Sequence, residues 1–230
     1  MLRSKAALLG IIALALGLSS KTLGLASTTT TLASGGTTTT VATLATTTTL
    51  LSVATTTTVV KSQATRPSTG ASFNQLMTNL WNAILTNDRK AADSLFFPLS
   101  GYLKLKVTAS PAYDWRTRLL GLFNIDLATY HRNLTAGKVA SLVSISFNPS
   151  YAQWIPKGAC ENNIGFWHMP GPRFVYVQNG VTRSVGVFSL ISWHGNWYFI
   201  HLGPSPHTST GGMFYAPARG PGRVGPPGGC

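Results

Sequence analysis

Residues Ser189 to Leu202 read SLISWHGNWYFIHL. Two apolar runs meet at His194-Gly195, and a two-residue connection of this kind needs positive φ, which glycine adopts cheaply. The reading is a β-hairpin with Trp193 opposite Asn196, Ile191 opposite Tyr198 and Ser189 opposite Ile200. Phe188, Leu190, Ser192, Trp197, Phe199 and His201 then share the other face. Both faces are apolar, as in a strand covered on two sides. A single sheet backed by helices needs only one apolar face, so the second requires a cover, and a homodimer through the sheet face is the expectation.

Working outward, Asn179-Gly180 is a strong hairpin signal between Arg173–Gln178 and a long strand Val181–Trp193. Val139–Phe147, Tyr151–Pro156 and Asn163–His168 read as earlier strands of the same meander. Upstream, Pro111 suits the first turn of a long helix to about Leu134. Tyr102–Val107 alternates like a short strand or extended loop with Lys104 and Lys106 exposed. Asn87-Asp88 separates a helix begun by a Ser72/Gln75 capping box from a shorter one reaching Phe96. The first helix carries Phe73, Leu76, Met77, Leu80 and Ile84 on one stripe, widened by Trp81 and Leu85. Helices followed by a meander predict an α+β domain over residues 71–204, with N-terminal helices packed on a curved antiparallel sheet.

The flanks differ in composition. Residues 1–26 read as a signal peptide or membrane anchor: Arg3 and Lys5 precede the apolar run Ala6–Leu18, and Gly24-Leu25-Ala26 offers a small-x-small cleavage site. Residues 27–70 form a Thr-rich stalk and linker, with Thr tetrads starting at Thr28, Thr37, Thr46 and Thr55. Residues 205–230 are Pro/Gly-rich and are expected to be disordered. Eighteen Lys/Arg stand against five Asp/Glu, a formal net charge of +13. That excess is spread along the chain, favouring anionic cell-envelope polymers over specific nucleic-acid recognition. Two cysteines, Cys160 and Cys230, are too few for a disulfide framework or a Cys-based zinc site. Cys160 reads as a loop thiol, a disulfide partner, or half of a Cys–His pair with His168.

Asp126 is the anomaly. At 100° per residue, Trp115, Leu119, Leu122, Phe123 and Tyr130 form one helical face, with Asp126 at its centre. A carboxylate there is either paired or pushed toward its neutral form. One reading is a structural ion pair or a hydrogen bond to sheet backbone; the other is a general base or ligand anchor. Asp114 and Arg118 are placed for an i,i+4 pair. His168 and His201 are the remaining polar residues inside apolar strands, and no spacing calls for a metal or other cofactor.

The order of short helices, long helix and meander resembles the nuclear transport factor 2-like (ketosteroid isomerase-like, cystatin-like) superfamily of cone-shaped α+β domains. More narrowly, YDWRTRL (Tyr113–Leu119) with Asp126, QWIPKGACENNIGFWH (Gln153–His168) and the hairpin are similar to secreted or membrane-anchored actinobacterial proteins. The resemblance spans about residues 72–204. It implies a conical pocket between helices and sheet, and often dimerisation through the sheet's outer face. For an isomerase-type site it would make Asp126 the base and Tyr130, one turn on, the hydrogen-bond donor.

The candidate ligand contacts are Trp115, Arg118, Trp154, His168 and His201. The expected function is a non-catalytic, exported, envelope-associated binding or assembly domain, at the outer face of the cell membrane or secreted, touching the membrane only through an uncleaved N-terminal segment. The alternative is a small extracellular isomerase or hydrolase using Asp126 as general base.

Overall fold

The computed structural model describes residues 61–225; the leader, most of the Thr-rich tract and Cys230 lie outside the described residues. The helices come first: α1 Ala71–Thr86, α2 Arg89–Leu95, α3 Leu99–Leu105, α4 Pro111–Asp114 and α5 Gly121–Thr135, with a π-helical segment Trp115–Leu120 joining the last two. The strands follow: β1 Ser141–Ser146, β2 Gln153–Ile155, β3 Phe166–Pro170, β4 Arg173–Gln178, β5 Val181–Gly186, β6 Ser189–Trp193, β7 Asn196–His201 and β8 Ala218–Arg219. The α+β class, with helices before antiparallel strands, stands as expected.

The helical boundaries show which local signals mattered. Gly70, without a side-chain hydrogen bond, occupies the N-cap of α1, so the Ser72/Gln75 capping box does not form. Asn87 closes α1 in the left-handed region, and the Asp88 side chain accepts from Ala91 N to open α2. Tyr102–Val107 was expected to be extended, but α3 takes it as far as Leu105. Tyr102 and Leu105 lie three residues apart on one buried face, and that burial outweighs the alternation. Residues 111–135 form the expected rod, underwound at the π segment, where Gly121 N donates to Arg116 O.

The strands form two four-stranded sheets, β1-β4-β5-β8 and β2-β3-β6-β7, rather than one. They meet at a bend in a shared two-stranded ribbon. The expected long strand Val181–Trp193 breaks at Val187-Phe188, opposite Pro170-Gly171-Pro172. Prolines have no amide to donate to a ladder. The ribbon stays joined through the bend, with Val187 N donating to Pro172 O and Gly171 N to Phe188 O. Beyond the bend, the β4–β5 turn at Asn179-Gly180 has both residues at positive φ, as the sequence predicts.

The SWHGNW hairpin forms with Trp193 opposite Asn196 and Ile191 opposite Tyr198. A bulge between Ser189 and Leu190 shifts the far end, so Ser189 faces His201 rather than Ile200. Ser189 Oγ and His201 Nδ1 then share a 3.1 Å hydrogen bond.

The core lies between the helices and both sheets. Phe73, Met77, Leu80 and Ile84 of α1 are buried, and Trp81 rests against Phe174 and Tyr176 of β4 at 5.3 and 5.6 Å between ring centroids. Leu119, Phe123, Leu127, Tyr130 and Leu134 carry the rod's buried face. Phe97 N donates to Phe199 O, tying the α2–α3 junction to β7.

The hairpin's second face is covered in part within the chain, with Ile191 and Ile200 buried and Trp193 and Tyr198 half-buried. Phe97 packs edge-on against Trp193 and Tyr198. The expected linker contributes as well. Gln63 donates to Gly165 O and Ser192 O and accepts from His194 N, while Ser68 O accepts from Trp197 Nε1.

The segment expected to be disordered is ordered through residue 225. β8 pairs with β5, Gly186 N donates to Tyr215 O, and Gly225 N donates to Gly171 O. Arg173, only 4% exposed, reaches Ser184 Oγ and the carbonyls of Ala216 and Arg223. The tail therefore wraps the β4–β5 side of the molecule. No helix among the described residues is long and apolar enough to cross a membrane.

Candidate functional site

Two adjoining cavities lie between the rod and the β3-β6-β7 strands. The larger, about 410 Å³, is walled by Leu105, Leu119, Phe166, Phe188, Ile191 and Ile200, with Tyr102, Lys106, Arg118, Cys160, His168, Ser189, His201 and Ser205 as its more polar lining. The second, about 310 Å³, is lined by Asp126, His207 and the Leu202–Pro206 segment, and shares Arg118, Leu119, Ile200, His201 and Ser205 with the first. Ser205, which lines both cavities, is exposed. Volumes of this size, with apolar walls and a few polar groups, suit a small organic ligand.

Of the residues singled out in the sequence, Arg118, His168 and His201 come together in the larger cavity. Trp115 does not join them: its Nε1 donates to Phe97 O at 2.8 Å and its ring packs on Phe96. Trp154 lies on β2, a sheet-edge strand, against Trp167 and 39% exposed. Tyr130 is fully buried and acts as a staple rather than a donor to ligand. Its hydroxyl donates to Gly186 O at 2.6 Å, with Leu202 O at 3.3 Å, and accepts from Tyr215 N.

Asp126 is 2% exposed and both its oxygens are engaged. Oδ2 accepts from Gly203 N at 2.9 Å; Oδ1 accepts from Met213 N at 2.7 Å and contacts His207 Nε2 at 3.0 Å. His207 Nδ1 meets Ser209 O at 2.5 Å, where only a ring N–H can donate. Both ring nitrogens therefore face oxygen acceptors. A general base needs a free lone pair directed at substrate. In this pair the oxygen nearest the imidazole already takes two contacts and the imidazole has no nitrogen left over.

His201 is different. Its Nδ1 is held by Ser189, but its Nε2 is buried with no hydrogen-bond partner. Burial, with help from Arg118, His168, Lys106 and His207, pushes its pKa down to about 3, so the ring is neutral near pH 7. Lys106, half-buried, donates from Nζ to Cys160 O; burial lowers its pKa and Glu161 partly offsets this. Arg118 already has a carboxylate, its Nε donating to Asp114 Oδ1 at 2.6 Å, the i,i+4 pair read from the sequence. Tyr102 donates to the other Asp114 oxygen, and burial followed by Asp114 raises the phenol's pKa.

Cys160 is disulfide-bonded, which removes the thiolate that a Cys–His pair with His168 would need. Among the described residues no group of three or more His, Cys, Asp or Glu side chains is placed to hold a metal ion.

Sequence reasoning missed Lys106, His207 and the backbone amides of Gly203 and Met213. A helical reading of Tyr102–Val107 would have placed Lys106 beside Tyr102. Nothing in the Pro/Gly-rich composition of the tail signals that His207 docks on Asp126. No protein-family model, no curated protein and no solved structure matches the chain.

Proposed function

We propose that this is a non-catalytic binding domain that takes a small, largely apolar ligand into the cavity between the rod and the hairpin sheet, in a protein exported to the outer face of the cell membrane or beyond. The observation that carries the reading is the contrast between two buried polar groups. Asp126 is held by two backbone amides and His207, whereas His201, in the wall of a 410 Å³ cavity, keeps one ring nitrogen without a partner. A protein that uses Asp126 for chemistry would leave it addressable. A protein that binds carries a few polar groups in an otherwise apolar cavity wall, as His201 is placed here.

Export is supported by the basic and apolar leader pattern of residues 1–26 and by the disulfide at Cys160, a bond that persists in oxidising compartments. The order of a 16-residue helix, two short helices, a long rod and a bent antiparallel meander supports assigning residues 71–204 to the nuclear transport factor 2-like superfamily.

One observation favours the isomerase or hydrolase alternative: Asp126 and His207 both line the 310 Å³ cavity. The two readings part on a single variant. The exposed Ser205 lines both cavities, so the indole of Ser205→Trp is expected to take up part of their space while the buried core residues stay as they are. On the binding reading, the neutral fluorophore N-phenyl-1-naphthylamine brightens with the native protein and not with Ser205→Trp, while the circular dichroism spectra coincide. Equal brightening with both proteins, or with neither, counts against this cavity as a ligand site.

A further inference from the structure

We infer that the ligand is an amphipathic organic anion, a carboxylic acid with an apolar body, its chain lying against Leu119, Phe166, Ile191 and Ile200 and its carboxylate held among Lys106, Arg118 and His201. This deepens the binding reading above and rests on it. The first ground is the sign of the charges. Lys106 and Arg118 are the charged side chains lining the larger cavity, and neither Asp nor Glu lines it. Asp114 and Glu161 lie behind them in a separate groove, which Lys106 and Arg118 also line.

The second ground is incomplete compensation. Arg118 is neutralised by Asp114, but Lys106 has a backbone carbonyl as its hydrogen-bond acceptor and is partly withdrawn from water. An ammonium in that position gains from an anion brought beside it, because Coulomb attraction strengthens where water is excluded. The third ground is His201. Apart from burial, the largest influences on its ring, Arg118, His168, Lys106 and His207, all oppose a proton. Positive potential around a buried imidazole with an unpartnered nitrogen is a setting that a carboxylate reverses. An anion seated beside Lys106 and Arg118 lowers that potential and eases protonation of the ring.

A neutral alcohol of equal chain length would fill the same apolar walls and gain none of these terms. The pair octanoate and octanol therefore isolates the charge, and acetate isolates the chain. With the full-length protein holding N-phenyl-1-naphthylamine, octanoate is expected to displace the dye at a concentration at least tenfold below that of octanol, and acetate not to displace it. Lys106→Met is expected to narrow the octanoate–octanol gap at least threefold. In nitrogen-15 spectra, the His201 ring is expected to titrate at least one pH unit higher when saturated with octanoate than with octanol.

Equal displacement by octanoate and octanol, or an unmoved His201 titration, overturns the anion while leaving the cavity as a binding site. Dye that binds but is displaced by acetate alone overturns the apolar half of the inference. A native protein that does not bind the dye and shows no His201 response to octanoate overturns both the anion and the binding reading.

Discussion

His207 and Asp126, 81 residues apart in the chain, meet with Nε2 3.0 Å from Oδ1, and with them the C-terminal segment is fastened to the centre of the helical rod. Gly203 and Met213 direct their amides at the same carboxylate. One side chain thus organises two backbone donors and an imidazole on a segment with little regular structure.

The first prediction follows from that geometry. Asp126→Ala leaves two buried amides and an imidazole without their acceptor, and losing one partner of a buried polar cluster costs about 3 kcal/mol. Asp126→Asn keeps one acceptor oxygen but presents an NH2 group to an amide N–H, so it too is destabilised, by about 1–2 kcal/mol. Denaturant midpoints measure both. A catalytic Asp126 predicts the opposite pattern for the Asn variant, with stability unchanged.

If the tail is part of the fold, ending the chain after Pro204 strips partners from Asp126, Tyr130 and Arg173 at once. The truncated protein is expected to melt at least 10 °C lower, the shift that a loss of several kcal/mol gives in a domain of this size. A single substitution tests the same point more gently. A Cβ on Gly212 would lie 2.1 Å from Thr129 Oγ1 and 2.3 Å from Ile125 O, both on the rod. Gly212→Ala should therefore lift the tail and reproduce part of the truncation, read as faster amide exchange at Tyr215 and Met213.

The third prediction concerns pH. His201 has a folded pKa pushed down to about 3 by burial, against an ordinary value of 6.5. Its contribution to stability is complete above pH 6.5, where the imidazole is neutral in both states. As pH falls toward 3, the unfolded chain takes up a proton that the folded protein refuses, so stability declines with a limiting slope of about 1.4 kcal/mol per pH unit. His201→Gln removes the titrating group. Its stability curve, measured by urea unfolding from pH 7 to 4, should be flatter than the native one by up to that slope.

Much of this was legible in the residues. The SWHGNW and Asn179-Gly180 turns are encoded locally, and the burial of Asp126 follows from its place among Leu119, Phe123 and Tyr130. The rest depended on information that local pattern does not hold. The bulge at Ser189 depends on how β7 seats against β6, and it moved His201 from the face shared with Phe199 to a position opposite Ser189. The clasp around Asp126 depends on contacts more than seventy residues away, made by a segment whose composition reads as disorder. The end of the long strand was written in the opposite strand, at Pro170 and Pro172, rather than in its own residues.

Gly101 sits inside α3, where intrinsic preference alone makes Gly101→Ala stabilising by about 0.8–1.0 kcal/mol. The packing says otherwise. A Cβ there would stand 3.0 Å from the edge of the Phe97 ring and 3.1 Å from Trp193. Phe97 is fully buried and wedged edge-on between Trp193 and Tyr198, so it has little room to yield. Overpacking of this kind costs about 1–3 kcal/mol, which exceeds the gain from helix propensity. Gly101→Ala is thus expected to be destabilising by up to about 2 kcal/mol, with a changed near-ultraviolet circular dichroism signal from Trp193. A more stable Gly101→Ala protein would mean that α3 does not rest on the SWHGNW hairpin, and the cavity between them would lose one of its walls.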